Sequence, residues 1–273
     1  MQICLRTFLF AISVLLASAG ASLGLAASIS AQAFLENNSP VTFGGCSDYH
    51  SASTGTVSAS CSGSVQLDGL WTGAGVAHAT ASYNQLKAFT FQDLTILSDN
   101  QNAGAYTSSA DSAALMNDNI RLPSSYNQPA FVTFSWTAHG IGSGLLNLSW
   151  GSGGSCIKVF FDESTQTCTK TQELFPGNSY SLGVVLQAVG DVIFSGSAGN
   201  ELTVTSDFDH TAFLSGLQLF DASMNPLTGV TLESDSGFNY QAGIINSAPE
   251  PRTLLFAAFG ILCVLLKKKF RFS

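Results

Sequence analysis

The chain has 273 residues, a formal net charge of −8 at pH 7 and only 10% charged residues. Residues 34–248 hold four of the cations and 17 of the carboxylates, so this body has a net charge of −13 (4 minus 17). Such an acidic surface repels phosphate backbones and argues against nucleic acid as a partner. The body is long enough for one large all-β domain, which we favour over two small ones.

The amino-terminal 33 residues have the pattern of a secretory leader. Arg6 precedes an apolar run over residues 7–19, and Ala31, Gln32 and Ala33 offer a cleavage site of the Ala-x-Ala type at the bond before Phe34. We therefore predict a signal peptide that is removed at this bond. An uncleaved anchor is the alternative, because the leader continues into the body without a charge. In both cases the body is exported.

Four of the six cysteines lie in the body and fall into two close pairs. Cys46 with Cys61 and Cys156 with Cys168 would each close a short loop in an oxidising compartment, and such a bridge stabilises a protein by roughly 3 kcal/mol. Four cysteines allow three connectivities, of which we prefer this local one. A metal site is the rival, but neither Cys-x-x-Cys spacing nor a neighbouring His supports it.

Apolar and polar residues alternate along much of the body with a period of two rather than 3.6. Val132, Phe134, Trp136 and Ala138, for example, fall on one face of a strand. The predicted strand segments are 132–138, 146–150, 157–161, 180–188, 202–205 and 214–220. Short connections rich in Gly, Asn and Ser are typical of antiparallel strands. We predict an all-β, antiparallel two-sheet sandwich that is jelly-roll-like, with residues 111–119 as the only candidate for a short helix.

Motifs for catalysis are missing from the sequence of the body. It contains no Gly-x-Ser-x-Gly elbow, no His-Glu-x-x-His, no phosphate-binding loop and no dinucleotide fingerprint. Asp207, Asp209 and Asp221 carry oxygen ligands of the kind that calcium prefers. Solvated carboxylates at a strand entrance are the simpler interpretation, so we predict no metal and no cofactor.

Exposed aromatic side chains can stack on sugar rings, which makes carbohydrate binding an alternative function. Trp136 and Trp150 lie in alternating segments and are predicted to be buried. Trp71, Tyr106 and Tyr126 lie in less regular stretches and are better candidates for stacking. The aromatic residues considered are Trp71, Tyr83, Tyr106, Tyr126, Trp136 and Trp150.

The last 25 residues, 249–273, differ in character from the body. Pro249, Glu250 and Pro251 precede an uncharged run over residues 253–266. Prolines resist helix continuation, so a transmembrane helix should start after them and point its basic end at the cytoplasm. Fourteen residues span only about 21 Å at ~1.5 Å each, short of a ~30 Å bilayer core, so the anchor is weak. The basic stop consists of Lys267, Lys268, Lys269 and Arg271.

This tail resembles that of the PEP-CTERM proteins of Gram-negative bacteria, which combine a Pro-Glu-Pro motif, a membrane span and an Arg/Lys cluster. The resemblance implies that exosortase, an intramembrane transpeptidase-like enzyme, recognises the tail and cuts it near residues 249–251. The three motif residues would then be a substrate site. The precursor would occupy the inner membrane only transiently.

The body also resembles a recurrent PEP-CTERM ectodomain at residues 79–89, 110–122 and 206–240, and the last stretch ends in a Ser-Gly-x-x-Tyr pattern. Residues 222–225 depart from the Asp-Gly-Asn-Pro often found there. The resemblance implies a β-sandwich, names no reaction, and links such proteins with exopolysaccharide and biofilm.

We therefore predict a noncatalytic exported protein of the cell surface or extracellular matrix, sorted by exosortase and associated with exopolysaccharide. A carbohydrate-binding module of the jelly-roll type is the first alternative. A secreted glycan hydrolase is the second, because distant strands can supply the paired carboxylates that such an enzyme needs.

Overall fold

The computed structural model describes residues 27–37, 46–67, 71–97, 106–152, 154–194 and 199–244. Within these ranges the chain is all-β, without an α-helix, and its strands form two antiparallel sheets. The prediction of an all-β, antiparallel two-sheet sandwich is therefore confirmed. The strands are β1 (Ser28–Asn37), β2 (Cys46–Ala52), β3 (Val57–Leu67), β4 (Trp71–Ala81), β5 (Gln85–Ile96), β6 (Tyr106–Arg121), β7 (Ala130–Gly140), β8 (Ser143–Trp150), β9 (Ser155–Phe160), β10 (Ser164–Leu174), β11 (Tyr180–Val189), β12 (Val192–Phe194), β13 (Glu201–Phe220) and β14 (Glu233–Ser234).

The order of the strands determines which of them lie at the open sides of the sandwich. Sheet A has the order β2-β1-β6-β11-β8-β9, and the short strands β12 and β14 also pair with β6. Sheet B has the order β10-β7-β13-β5-β4-β3. Among the described strands, the edges are therefore β2 and β9 in sheet A and β3 and β10 in sheet B.

One hydrophobic core fills the space between the sheets. On β7, Val132, Phe134, Trp136 and Ala138 are all 0% exposed, as their alternation predicts. The ring of Phe134 meets that of Trp150 from sheet A edge to face, with centroids 5.0 Å apart. Full burial of a side chain as large as Phe contributes about 1.5–3 kcal/mol, so these residues hold the two sheets together.

The prediction of a short helix at residues 111–119 is wrong, because these residues lie within β6. This strand pairs with β1 on one side and β11 on the other. Residues 111–116 are all buried, so both faces of the strand are covered here. A strand covered on both faces shows no apolar–polar alternation, and the period-two test therefore fails to detect it.

Both predicted disulfides are present, and each joins edge strands of opposite sheets. Cys46 of β2 is bonded to Cys61 of β3, with their Cα atoms 5.8 Å apart. Cys156 of β9 is bonded to Cys168 of β10, with their Cα atoms 5.6 Å apart. Both Cα separations are usual for disulfides. Each side of the sandwich is thus closed covalently where the chain crosses from sheet A to sheet B.

The carboxylate of Asp48 protects the edge of β3 on the side of the sandwich that the Cys46–Cys61 disulfide closes. The backbone N–H of Ser60, in edge strand β3, donates to Asp48 Oδ2 at 2.9 Å. Asp48 also lies 3.0 Å from His50 Nε2 on the same strand, β2. Unpaired N–H groups on an edge strand invite pairing with other chains. The Asp48 side chain satisfies one such group and places a charge at the edge.

β1 begins at Ser28, upstream of the predicted start of the body. Ile29, Ala31 and Ala33 are fully buried, and the strand is paired with β2 and β6 on its two sides. The bond between Ala33 and Phe34 therefore lies inside an interior strand of sheet A. Cleavage between Ala33 and Phe34 stays a prediction from sequence, but it would cut this strand in two, so we expect a leader to be removed upstream of Ser28, outside the described residues.

The exported protein should begin upstream of Ser28, and the Ala-x-Ala patterns ending at Ala19 and Ala21 are the expected cleavage sites. Cutting before Phe34 would instead remove three fully buried side chains and half of an interior strand. Amino-terminal sequencing of protein recovered from the culture checks this. A folded, stable protein whose first residue is Phe34 would contradict it.

Candidate functional site

The residues predicted for sorting lie outside the described residues. This applies to Pro249, Glu250 and Pro251 and to the basic residues at 267–269 and 271. In the part of the chain that is described, no helix has the length and apolar character needed to cross a membrane. The sorting tail therefore stays a prediction from sequence.

Of the aromatic residues proposed for sugar stacking whose side chains are described, three are buried in the core, Tyr83 among them, and one is half-buried. Trp136 and Trp150 are buried, as predicted, and Tyr126 packs against the core. The side chains of Trp71 and Tyr106 lie outside the description. Sequence patterning did not single out the aromatic side chains that are exposed in the described ranges, which are Tyr49, Phe161 and Phe175.

The carboxylates considered for calcium do not form a described site. Asp221 Oδ1 accepts the backbone N–H groups of Ser223 and Asn225, each at 2.8 Å, and the Asn225 amide donates to Oδ2 at 3.0 Å. The two hydrogen bonds from Asn225 lower the pKa of Asp221. The side chain of Asp209 is not described, and the described residues contain no group of three potential metal ligands. We do not propose calcium binding.

A buried carboxylate that sequence reasoning missed organises the end of the body. Asp118 on β6 is 2% exposed. Its Oδ1 accepts the backbone N–H of Asn119 at 2.8 Å and that of Ser236 at 3.1 Å. Its Oδ2 accepts the hydroxyl of Ser236 and, at 2.8 Å, the phenol of Tyr240. We call Asp118, Ser236 and Tyr240 the clasp.

The clasp has the chemistry of a structural site. Each oxygen of Asp118 accepts two hydrogen bonds, and the carboxylate is sealed from solvent, so it has neither a free lone pair nor a path to a substrate. A buried charge is tolerated only when it is fully hydrogen-bonded. The clasp therefore fastens residues 236–240 to sheet A.

A polar rim supports the clasp from the outside. Arg121 Nε donates to Glu233 at 3.0 Å, and its Nη1 donates to Asp235 at 2.6 Å. The Asn119 amide donates to Asp235 at 2.9 Å. The bond from Asn119, followed by that from Arg121, lowers the pKa of Asp235. Exposed ion pairs contribute only about 0–1 kcal/mol each, so the rim is secondary to the buried clasp.

Aromatic rings enclose the clasp and shift the titration of two phenols. The ring of Phe238 lies 5.0 Å from that of Tyr240 and 6.0 Å from that of Tyr83. Burial, followed by the charge of Asp118, raises the pKa of Tyr240 well above its ordinary value. The same two causes raise the pKa of Tyr83 to about 12. Tyr83 donates its own hydroxyl to the Ser53 carbonyl at 2.8 Å.

Two rows of side chains, most of them hydroxyl-bearing, lie opposite each other on β7 and β10 at the outer face of sheet B. Register places Thr133 opposite Thr171, Ser135 opposite Thr169, Thr137 opposite Thr167 and His139 opposite Thr165. The oxygen–oxygen distances of the first three pairs are 2.7, 3.0 and 2.9 Å, and His139 Nδ1 lies 2.9 Å from Thr165 Oγ1. All four β10 threonines are exposed. We call these eight residues the hydroxyl ladder.

No protein-family model matches the chain, and no curated protein does. Among solved structures, the chain is similar to TmCBM61 in complex with beta-1,4-galactotriose, at 15% identity and a TM-score of 0.21. The match covers 44% of this chain and 73% of that one. At this TM-score the two proteins share too little geometry for the sugar site of one to be transferred to the other.

Stability should fall as pH rises from about 10, the ordinary pKa of a phenol, towards 12 and beyond. Tyr83 and Tyr240 have raised pKa values in the folded chain, so the unfolded chain loses these protons first and is favoured by alkali. The contribution is fully present below pH 10. Urea unfolding at a series of pH values measures it.

Tyr240→Phe should lower the free energy of unfolding at pH 7 by about 1.5–3 kcal/mol, because one hydrogen bond to a charged group is lost. It should also flatten the decline above pH 10. Tyr49→Phe, on a side chain that is 61% exposed, serves as the control and should change neither. A Tyr240→Phe variant with the wild-type stability and the wild-type pH curve would contradict the role of the clasp.

Proposed function

We propose that this chain is a noncatalytic exported protein of the cell surface or extracellular matrix, sorted through its tail by exosortase and associated with exopolysaccharide. The resemblance of residues 249–273 to PEP-CTERM tails supports the sorting step. In this proposal Pro249, Glu250 and Pro251 are the substrate site, residues 253–266 form the transient inner-membrane span, and the basic cluster is its cytoplasmic stop.

The observation that carries the proposal of export is the pair of disulfides. Structural disulfides persist in secreted and periplasmic proteins and are rare in a reducing cytosol. Here both disulfides lie where they are structurally useful, since Cys46–Cys61 and Cys156–Cys168 close the two sides of the sandwich. Their removal from a β-sandwich of this kind would leave its edge strands held together by noncovalent contacts alone.

The end of the body adds a geometric argument about the tail. The chain is held as far as Ile244, because the Gly243 N–H donates to the Asn239 carbonyl at 3.0 Å, the Asn84 amide donates to the Gly243 carbonyl at 3.3 Å, and Ile244 packs against the core. The sorting motif begins five residues later at Pro249, and five extended residues reach about 17 Å. In this proposal the folded body therefore stays close to the membrane until the tail is cut.

Carbohydrate binding is the second candidate function, and the hydroxyl ladder is the observation that favours it. Rows of exposed hydroxyls can exchange hydrogen bonds with the hydroxyls of a polysaccharide. This candidate is compatible with the first one, because a matrix protein must bind some component of the matrix.

The mature protein should lack residues 253–273 in a strain that has exosortase and should retain them in a strain without it. Intact mass spectrometry of protein from membranes and from the culture supernatant measures this. Replacing residues 249–251 by alanine should leave the tail uncut, whereas the same replacement at the neighbouring residues 245–247 should not. A mass that is identical in the two strains would overturn the sorting proposal.

A further inference from the structure

We propose that the hydroxyl ladder on β7 and β10 is a docking face for a neutral, extended polysaccharide that lies along β10. This deepens the proposed function by naming the surface and the class of partner. It rests on that function in assuming that the protein is exported to a place where such a polymer is present. It does not depend on cleavage of the tail by exosortase.

The ladder has the regular, rigid geometry that an extended polymer can follow. Alternate residues of an antiparallel strand lie about 6.8 Å apart, and neighbouring strands about 4.8 Å apart, so the eight side chains form a two-row lattice. Threonine is stiff at χ1, and most of these hydroxyls are also held by a cross-strand partner. A ligand that binds here needs to order few side chains, which lowers the entropic cost of association.

Each cross-strand pair of the ladder is called a rung here. In the Thr137–Thr167 rung, the neighbouring Ser215 determines which hydroxyl is the hydrogen-bond donor. Ser215 donates to the Ser135 carbonyl at 3.1 Å, and Thr137 donates to Ser215 Oγ at 2.8 Å. Each hydroxyl has a single hydrogen, so Thr137 cannot also donate to Thr167. Thr167 must therefore be the donor in their 2.9 Å contact. This contact leaves the lone pairs of the Thr167 oxygen free, and the side chain is exposed, so Thr167 can accept a hydrogen bond from a ligand.

This polarity constrains the chemistry of the partner. At Thr167 the ligand has to supply a donor, which a sugar hydroxyl does and a carboxylate or phosphate diester does not. The hydroxyls of the Thr133–Thr171 and Ser135–Thr169 rungs can rotate, so they can act as donor or acceptor. A polyol matches both requirements along the same row.

The charge distribution points to a neutral polymer. The outward positions of β10 from Thr165 to Thr171 are all threonine, and Glu163 and Glu173 stand at the two ends of this row. The body as a whole has a net charge of −13 (4 minus 17). An anionic polysaccharide would be repelled by these charges, whereas a neutral one would not.

Replacement of Thr165, Thr167, Thr169 and Thr171 by valine tests the proposal, because valine keeps the shape and the strand propensity of threonine and has a methyl group in place of the hydroxyl. The probes are amorphous cellulose and galactomannan as neutral polymers and polygalacturonate as an anionic one. Binding of the full-length protein is measured by depletion and by affinity electrophoresis. The loss of several hydrogen bonds should weaken binding to the neutral probes about tenfold or more.

The matched control is Ser58→Ala with Ser60→Ala and Ser62→Ala, which removes exposed hydroxyls from β3 at the opposite edge of the same sheet. This variant should bind as the wild type does. Thermal unfolding verifies that each variant is folded. If the quadruple valine variant fails to fold, Thr167→Val alone should still weaken binding, because this residue makes the fixed acceptor contact.

Three outcomes would overturn the proposal. The wild type binds neither neutral probe; the valine variants bind them as tightly as the wild type does; or sedimentation shows that the wild type self-associates through this face and the valine variant does not. The last result would assign the face to a second copy of the chain. None of these outcomes affects cleavage of the tail, so failure here is distinct from failure of the sorting proposal.

Discussion

The two disulfides constrain this fold at the four strands where a sandwich is weakest. The edge strands of a sheet have partners on one side only, and in a two-sheet sandwich they are also the places where the layers can separate. Cys46–Cys61 and Cys156–Cys168 join the layers at both sides. Between these links, sheet A contributes small side chains such as Ala31 and Ala33 to the core as well as large ones such as Trp150.

The clasp and the hydroxyl ladder lie in different places and have different roles, one structural and one proposed for binding. Asp118 is buried and saturated with hydrogen bonds, so it fixes the chain just before the predicted sorting tail. The β10 row of the ladder is exposed and has hydrogen-bonding capacity left, as the proposed docking of a polysaccharide requires. The two places differ in charge and in burial. The clasp is built on a carboxylate that is buried away from water, whereas the β10 hydroxyls of the ladder are neutral and in contact with water.

Much of the fold follows from local pattern, and the parts that do not are the ones that depend on distant contacts. The alternation from Val132 to Ala138 predicts a strand with one face towards the core and one towards solvent, and the cysteine spacings predict both disulfides. Residues 111–116 give no alternation because both faces of β6 are covered. The alternating alanines of β1 resemble a leader cleavage site because small residues suit both a peptidase and a tightly packed sheet. Asp118 meets Tyr240 across 122 positions, which no local pattern reveals.

Thiol mapping of the unreduced protein, taken from the cells that make it and alkylated before digestion, tests export most sharply. Folding in an oxidising compartment predicts two linked peptide pairs, Cys46 with Cys61 and Cys156 with Cys168, and no alkylated thiol at these positions. Free thiols at all four cysteines in folded protein would contradict export, and would show that the sandwich stays folded without its two covalent links.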